Sequence, residues 1–435
     1  MGQALRGIFW ICVYAAAVVA PLAVGGARSG LGFARDFSVA LGFIGLMVMA
    51  LQFGLVARLQ RVTAPFGMDA LLQYHRQIGF AALAMVVAHP IILFVDDPDK
   101  LALLDWPDAP NRARFAVSAL VALALLIATS VWRKQLRLSY EAWQALHGVL
   151  SVAVVALSLL HMVGVDYYLD HPFQRALWIA VGGVVVGLIA WRHVARPIAY
   201  RRRPWVVDET RAERGDAWTL SMRPDGHDGM SFRPGQFGWV MVGGSPFALG
   251  QHPFSFSSSA ERSDRVEMTI KARGDFTRTI AQVEPGTRCY IDGPYGLFTP
   301  DLHEGPGFVL IGGGVGITPL MSMLRTMADR EDVRPCVLFY GSADYESATF
   351  RDELDELSKR LALTVVHVIE RPHDGWDGEV GFIHAALVRR HLPGRFERYR
   401  YFVCGPIPMM DAMERVLHEV GVPGEHVHTE RFDMV

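Results

Sequence analysis

Six long apolar stretches dominate the first 200 residues, at about 8–26, 37–57, 74–95, 114–132, 142–165 and 174–196. Each has the roughly 20 residues an α-helix needs to cross a bilayer core, so six transmembrane helices are predicted. A linker rich in Arg and Pro, Arg196 to Pro204, ends this part. From Trp205 to about Pro300, short β-branched and aromatic runs alternate with Gly, Pro and Asp, the pattern of an antiparallel barrel or sandwich. From Gly307 the period changes: "FVLI", "CVLFYG", "ALTVVHVIE" and "RYFVCG" read as buried strands, and "TPLMSMLRTMADR" reads as a helix. Strand and helix alternate here, which predicts a parallel α/β sheet. The expected architecture is a multi-domain membrane protein: an all-α six-helix bundle (1–200), an antiparallel β-barrel (201–302) and a parallel α/β domain (303–435).

Composition agrees. Hydrophobic residues make up 51% and mean hydropathy is +0.22, high for a chain outside a membrane. The net charge of −2 gives a nucleic-acid partner no electrostatic support. Cys12, Cys289, Cys336 and Cys404 are scattered, with no CxxC pair and no disulfide framework. Charge also orients the spans. Arg6, Arg58, Arg61, Arg133, Lys134, Arg137, Arg192, Arg196 and Arg201 to Arg203 fall on one side. The other side carries fewer basic residues and the acids Asp96, Asp97, Asp99, Asp105 and Asp108. The basic side is expected to be cytoplasmic, with both termini on it. The first stretch has a second reading as a secretory signal, since Arg6 precedes it and small residues end it. Cleavage would leave five helices and put the charge pattern out of step.

Four histidines stand inside the spans: His75 and His89 in the third, His147 and His161 in the fifth, each pair 14 residues apart. Fourteen helical steps fall about 40° short of four turns, so a pair shares one face about 21 Å apart along the axis. The two spans run in the same direction. Packed side by side, they would bring His75 to His147 and His89 to His161. Two facing imidazoles can supply both axial ligands of a haem iron, and two tiers give two stacked haems. A single membrane His also serves as an interhelical hydrogen-bonding group or in a proton relay; the repeated spacing favours ligation. Without CxxCH, any haem lacks thioether bonds. Arg76 could meet a haem propionate or snorkel to the interface. This pattern resembles the ferric reductase and NADPH oxidase transmembrane superfamily over residues 37–197. The resemblance implies that His75, His89, His147 and His161 ligate two haems b.

The next two motifs, "FRPGQFGWV" (232–240) and "HPFSFSSS" (252–259), resemble the flavin barrel of the ferredoxin–NADP reductase family. The resemblance places His252, Pro253, Phe254 and Ser255 against the isoalloxazine and ribityl chain. Many relatives open this motif with Arg, where His252 stands here. In "IKARGDFT", which contains Lys271, Gly274 allows close backbone approach, and Thr277 is expected to begin a helix whose free N–H groups suit a pyrophosphate. A pyrophosphate implies FAD.

"LIGGGVGITPLMSML" sets Gly312, Gly313, Gly314 and Gly316 between a strand and a helix that includes Thr318 and Pro319. The segment departs from GxGxxG at Ile317 and could be only a tight turn. It could also be a dinucleotide phosphate site. In ferredoxin–NADP reductase relatives GGxGxTP occupies this place and a CGP segment follows, here Cys404, Gly405 and Pro406. The resemblance puts Cys404 near the nicotinamide; it could equally be a small buried hydrophobe. It also makes Phe432, near the C-terminus, the aromatic that shields the flavin. The family inclines the coenzyme towards NADPH, with NADH open; Arg351 is the candidate basic residue for a 2′-phosphate.

Together these implications describe an NAD(P)H-dependent flavohaem oxidoreductase of the cell membrane. Electrons would pass from cytoplasmic NAD(P)H through FAD and two haems b to an outer acceptor. A ferric complex is the first candidate, oxygen the second, and a quinone or partner protein the third. The rival of another class is a transporter or proton channel with a reductase-like regulatory domain.

Overall fold

The computed structural model describes residues 2–25, 32–165, 169 and 171–431, and the chain divides into two compact units, Met1–Arg196 and Pro197–Val435. Phe432 lies outside the described residues.

In the first unit the apolar runs form α1 (Gln3–Gly25), α2 (Phe33–Val56), α3 (Met68–Asp96), α4 (Asn111–Val131), α5 (Tyr140–Val165) and α6 (Pro172–Ala190). A π turn, Trp191–Ala195, carries α6 into a last helical turn, so the sixth apolar span runs Pro172–Arg201. All six are long and apolar enough to cross a membrane. Two antiparallel pairs, α2 with α3 and α4 with α5, pack most intimately, and α1 and α6 cover α2. Small residues permit this. A Cβ on Gly45 would press on Val86 at 2.8 Å, and one on Gly164 would press on Arg112 at 2.9 Å. Helices in lipid associate through such close backbone approach, because burial of apolar surface gives them no preference over lipid. The expectation that the third and fifth spans pack along each other needs correction. The α3–α5 pair is not closely packed; the histidine side chains span the separation.

In the second unit, β1 (Trp205–Glu213), β2 (Ala217–Pro224), β3 (Phe237–Val242), β4 (His252–Ser255), β5 (Val266–Lys271) and β6 (Arg288–Tyr295) form one antiparallel sheet in the order β4-β3-β6-β1-β2-β5. It curls far enough that Phe256, just past β4, bridges Met268 on β5. Its inner face holds Leu220, Met222, Val240, Phe256 and Met268, all fully buried.

A parallel sheet follows, built from β7 (Phe308–Gly313), β8 (Cys336–Ser342), β9 (Leu363–Ile369), β10 (Glu379–Val380), β11 (Arg400–Cys404) and β12 (Val427–Thr429) in the order β10-β9-β8-β7-β11-β12. Its strands are near-continuous apolar runs because helices cover both faces: α8 (Ile317–Asp329) and α9 (Arg351–Arg360) on one, α10 (Ala385–His391) and α11 (Ile407–Val420) on the other. The chain leaves β7 towards β8 and returns on its other side as β11. Between them lies the switch point where open α/β sheets bind ligands, beyond the carboxyl ends of the strands.

Candidate functional sites

In the membrane unit His75 and His147 each stand about two turns into their helices and face each other, with ring centroids 6.2 Å apart and planes at 56°. The second pair, His89 and His161, is close enough to interact electrostatically. All four rings are half-buried.

Three of the four rings are anchored through Nδ1. The His89 Nδ1–H donates to the Ser38 carbonyl at 2.8 Å, and the Ser38 hydroxyl donates to the His89 carbonyl at 2.7 Å. His161 donates to the Arg112 carbonyl at 2.8 Å. His147 lies 3.1 Å from Ser130 Oγ. The Ser130 hydroxyl has one proton, and it goes to the Leu126 carbonyl at 2.7 Å. Ser130 Oγ therefore accepts from His147, as it does from Trp143 Nε1 at 3.3 Å. These bonds place the proton on Nδ1 and leave Nε2 as the lone-pair donor. Imidazoles ligating a metal have this arrangement, with the second nitrogen held by an outer acceptor. Among the described residues no Nε2 of the four has a hydrogen-bond partner, and no group of three or more His, Cys, Asp or Glu converges as a metal-ion site. Two facing imidazoles with Nε2 left as lone-pair donors could supply two ligands to an iron whose other ligands come from a porphyrin. The 6.2 Å centroid separation is about what two metal–nitrogen bonds of roughly 2 Å and two ring radii span.

In the curled sheet His252 is buried at the start of β4, and its ring stacks on Phe276 at 3.7 Å and 12°. Phe254, two residues on, faces the same Phe276 ring at 6.2 Å and 18°. Pro253 and Ser255 complete the strand, which pairs with β3, Trp239 opposite Pro253 and Phe237 opposite Ser255. Lys271 closes β5 opposite Ala217. The helix expected from Thr277 starts earlier and is a single short turn, α7 (Asp275–Thr279). Thr277 Oγ1 accepts from the Gly274 N–H at 2.7 Å and so fastens its start. So short a helix has little dipole, and free N–H groups are what this turn offers a phosphate. Phe276 was not singled out from the sequence; its ring is visible there, but not its place between His252 and Phe254.

The glycine turn and the CGP segment meet at the switch point, where Gly312 is in register with Cys404. A Cβ on Gly316 would collide with the Cys404 carbonyl, and one on Gly313 with the Met409 sulfur. Gly316 accepts only Gly, because the turn lies against the Cys404–Gly405 backbone, whereas at Gly313 the flexible Met409 side chain would have to move. Gly314 takes a φ of 54°, and a Cβ there would meet nothing. Thr318 Oγ1 donates to the Val315 carbonyl at 2.8 Å and locks the turn to α8, whose first residues, Thr318 and Pro319, are buried. Gly405 and Pro406 lead into α11. Cys404 is 1% exposed, and burial, with the nearby Glu430 carboxylate second, raises its thiol well above the ordinary range. It is therefore a neutral thiol at any physiological pH. Glu430 is the buried acid the sequence reading passed over: it is 3% exposed and sits against Gly296.

At the end of β8, Asp344 accepts the Ser347 N–H at 2.8 Å and pairs with Arg371 at 3.2 Å. These contacts hold its carboxyl below the usual range, the Ser347 bond being the larger cause. Arg351 is already engaged: it pairs with Glu346 and Asp352, both at 3.2 Å, and lies over the Tyr345 ring at 4.5 Å.

Residues 41–158 match the ferric reductase like transmembrane component family, 216–299 an FAD-binding domain and 310–415 the oxidoreductase NAD-binding domain. The reductase component of propane 2-monooxygenase from Mycolicibacterium smegmatis is 31% identical over 50% of this chain and 64% of its own. The ferredoxin reductase component of 3-ketosteroid-9-alpha-monooxygenase from Rhodococcus rhodochrous is 30% identical over 52% and 63%. NADH-cytochrome b5 reductase 1 of Aspergillus terreus is 27% identical over 38% and 58%. The chain thus spans somewhat under two thirds of the length of these relatives. Among solved structures, the ferredoxin reductase of carbazole 1,9a-dioxygenase is 28% identical over 53% of this chain and 69% of its own, with a TM-score of 0.47.

Proposed function

Because the chain joins a ferric reductase-like transmembrane domain to FAD- and NAD-binding domains, we propose that this membrane oxidoreductase moves electrons from cytoplasmic NAD(P)H, through FAD and two haems b, to an acceptor outside the cell membrane. One observation carries the reading: His75 faces His147, His89 lies within electrostatic reach of His161, and three of the four rings are held through Nδ1. FAD converts a two-electron hydride donor into single electrons, and haem iron carries them one at a time.

The residues have distinct tasks. His75 with His147, and His89 with His161, hold the inner and outer haems through Nε2. The N–H groups and open backbone of Gly312 to Gly316 receive the coenzyme pyrophosphate. Phe254 offers the flavin an aromatic face, Ser255 a hydroxyl, and the Gly274–Thr277 turn its N–H groups. Cys404 lies beside the nicotinamide as a neutral thiol, so it positions the ring and does not attack it. Phe432 would be the aromatic that covers the flavin, as the family resemblance implies. The coenzyme is NADH: the Asp344 carboxylate stands where a 2′-phosphate would need a cation, and Arg351 is committed to two acids. The cytoplasmic side is supported by the basic residues that cluster in the α2–α3 and α4–α5 loops and after α6. We take a ferric complex as the acceptor.

Purified protein tests this directly. It should show bound flavin and a haem Soret band equal to two haems per chain, and NADH should reduce a ferric chelate. Fast superoxide production from NADH without iron would replace the ferric reductase reading with an oxidase. A colourless protein would remove the electron path altogether and favour the transporter.

A further inference from the structure

His75 differs from the other three histidines: its Nδ1 is buried and has no partner. Beside it is a second unpartnered atom of opposite kind. Gln52, on α2, donates its Nε2–H to the backbone carbonyl of His75 at 3.1 Å, while its Oε1 is buried and without a partner. An unpaired buried donor and an unpaired buried acceptor are each costly, and native structures hold few of them. Here they occur on two residues already joined by a hydrogen bond from the Gln52 side chain to the His75 backbone.

The outer tier shows the completed form of this contact. Ser38 donates to the His89 carbonyl and takes the His89 Nδ1–H. Ser38 and Gln52 lie 14 residues apart on α2, the spacing of His75 and His89 on the antiparallel α3. The two helices therefore offer the same pairing twice, at the two heights where histidines stand. Gly79, one turn beyond His75, leaves room for it: a Cβ there would sit 3.4 Å from Gln52 Nε2.

We propose that Gln52 is the positioning residue of the inner tier: its Oε1 accepts the His75 Nδ1–H when Nε2 is ligated, so that one amide grips both the backbone and the ring of His75. This rests on the haem reading above. An acceptor on Nδ1 raises imidazole basicity and fixes the ring, and such outer partners are worth about 10- to 100-fold in metal affinity.

The test compares Gln52→Met, which keeps the volume and removes the acceptor, with Gln52→Glu, which keeps an acceptor. Full-length protein is purified in detergent, and redox titration and low-spin EPR are read for each haem. Gln52→Met should raise the midpoint potential of one haem and weaken its retention by about 10-fold or more, leaving the other haem and flavin reduction unchanged. Gln52→Glu should retain both haems and lower the potential of the same one. A Gln52→Met protein whose two haems keep their potentials, EPR signals and occupancy overturns the assignment. The same outcome follows if the outer haem shifts as much as the inner. Wild-type protein without two haems would instead overturn the reading on which it rests, and the two failures are distinct.

Discussion

At the scale of single residues, the nucleotide turn is decided by the absence of a side chain. A methyl group on Gly316 would collide with the Cys404 carbonyl, and overpacking of this kind costs about 1–3 kcal/mol. Gly316→Ala should lower the unfolding midpoint of the reductase unit and abolish coenzyme binding, measured by thermal melting and by stopped-flow flavin reduction. The glycines and the CGP segment are legible in the sequence, because each is short and local. Phe276 is not, because its stacking on His252 and Phe254 joins the α7 turn to β4, segments some twenty residues apart in the chain. A second residue-scale prediction concerns acid. His428 stacks on His303 at 3.6 Å, and burial first, with the neighbouring His303 and Arg400 next, pushes its pKa down to about 4. A His whose folded pKa lies below its unfolded value leaves stability unaffected above the unfolded pKa and subtracts from it as pH falls towards the folded one. The native state should therefore weaken between about pH 6.5 and 4. His428→Gln should flatten that part of the stability–pH profile, followed by denaturant melts across the range.

At the scale of elements, the membrane unit is two helix pairs, each with one histidine-bearing helix and one helix that supplies acceptors. Ser38 on α2 serves His89, while Ser130 and Arg112 on α4 serve His147 and His161. Ser130→Ala would strand both the His147 Nδ1–H and the Trp143 Nε1–H without their shared acceptor. Affinity for one haem should fall by about 10-fold or more, read as half the Soret absorbance lost on dilution in detergent. The histidines stand out along the chain because their spacing repeats. Their acceptors do not: a serine hydroxyl or a helix carbonyl becomes significant only when its helix is packed against the right neighbour. Packing also overturned one expectation, since α3 pairs with α2 and α5 with α4, while His75 and His147 bring the third and fifth helices together.

For the molecule as a whole, the two units perform separable tasks, so damage to one should leave the other working. His89→Ala should remove about one haem's worth of absorbance while NADH still reduces the flavin; loss of flavin binding instead would contradict that division. Coenzyme choice belongs to the reductase unit alone. Asp344→Ser should raise kcat/KM for NADPH relative to NADH by about 10-fold, the factor to which a phosphate–carboxylate repulsion of roughly 1.4 kcal/mol corresponds. The inner structure of that unit depends on Arg325. This mostly buried guanidinium on α8 pairs with Glu353 on α9 and Glu267 on β5 and donates to the Ser257 carbonyl, tying the parallel sheet to the curled one. Removing one partner of a buried ion pair leaves the other charges uncompensated, at a cost of about 3–5 kcal/mol.

By itself the sequence determined the six apolar helices, the order of curled and parallel sheets after them, the residue types at the nucleotide turn and the repeated histidine spacing. All of these are periodic or local, and hydropathy, strand alternation and helical pitch act on neighbours along the chain. Only the tertiary structure decided which helices pair, which carbonyls and hydroxyls hold the imidazoles, that Cys404 is a buried neutral thiol beside Glu430, and that Arg351 is already taken by acids. Those outcomes depend on hydrogen bonds, burial and charge between residues far apart in sequence, which come into being only when the chain is folded.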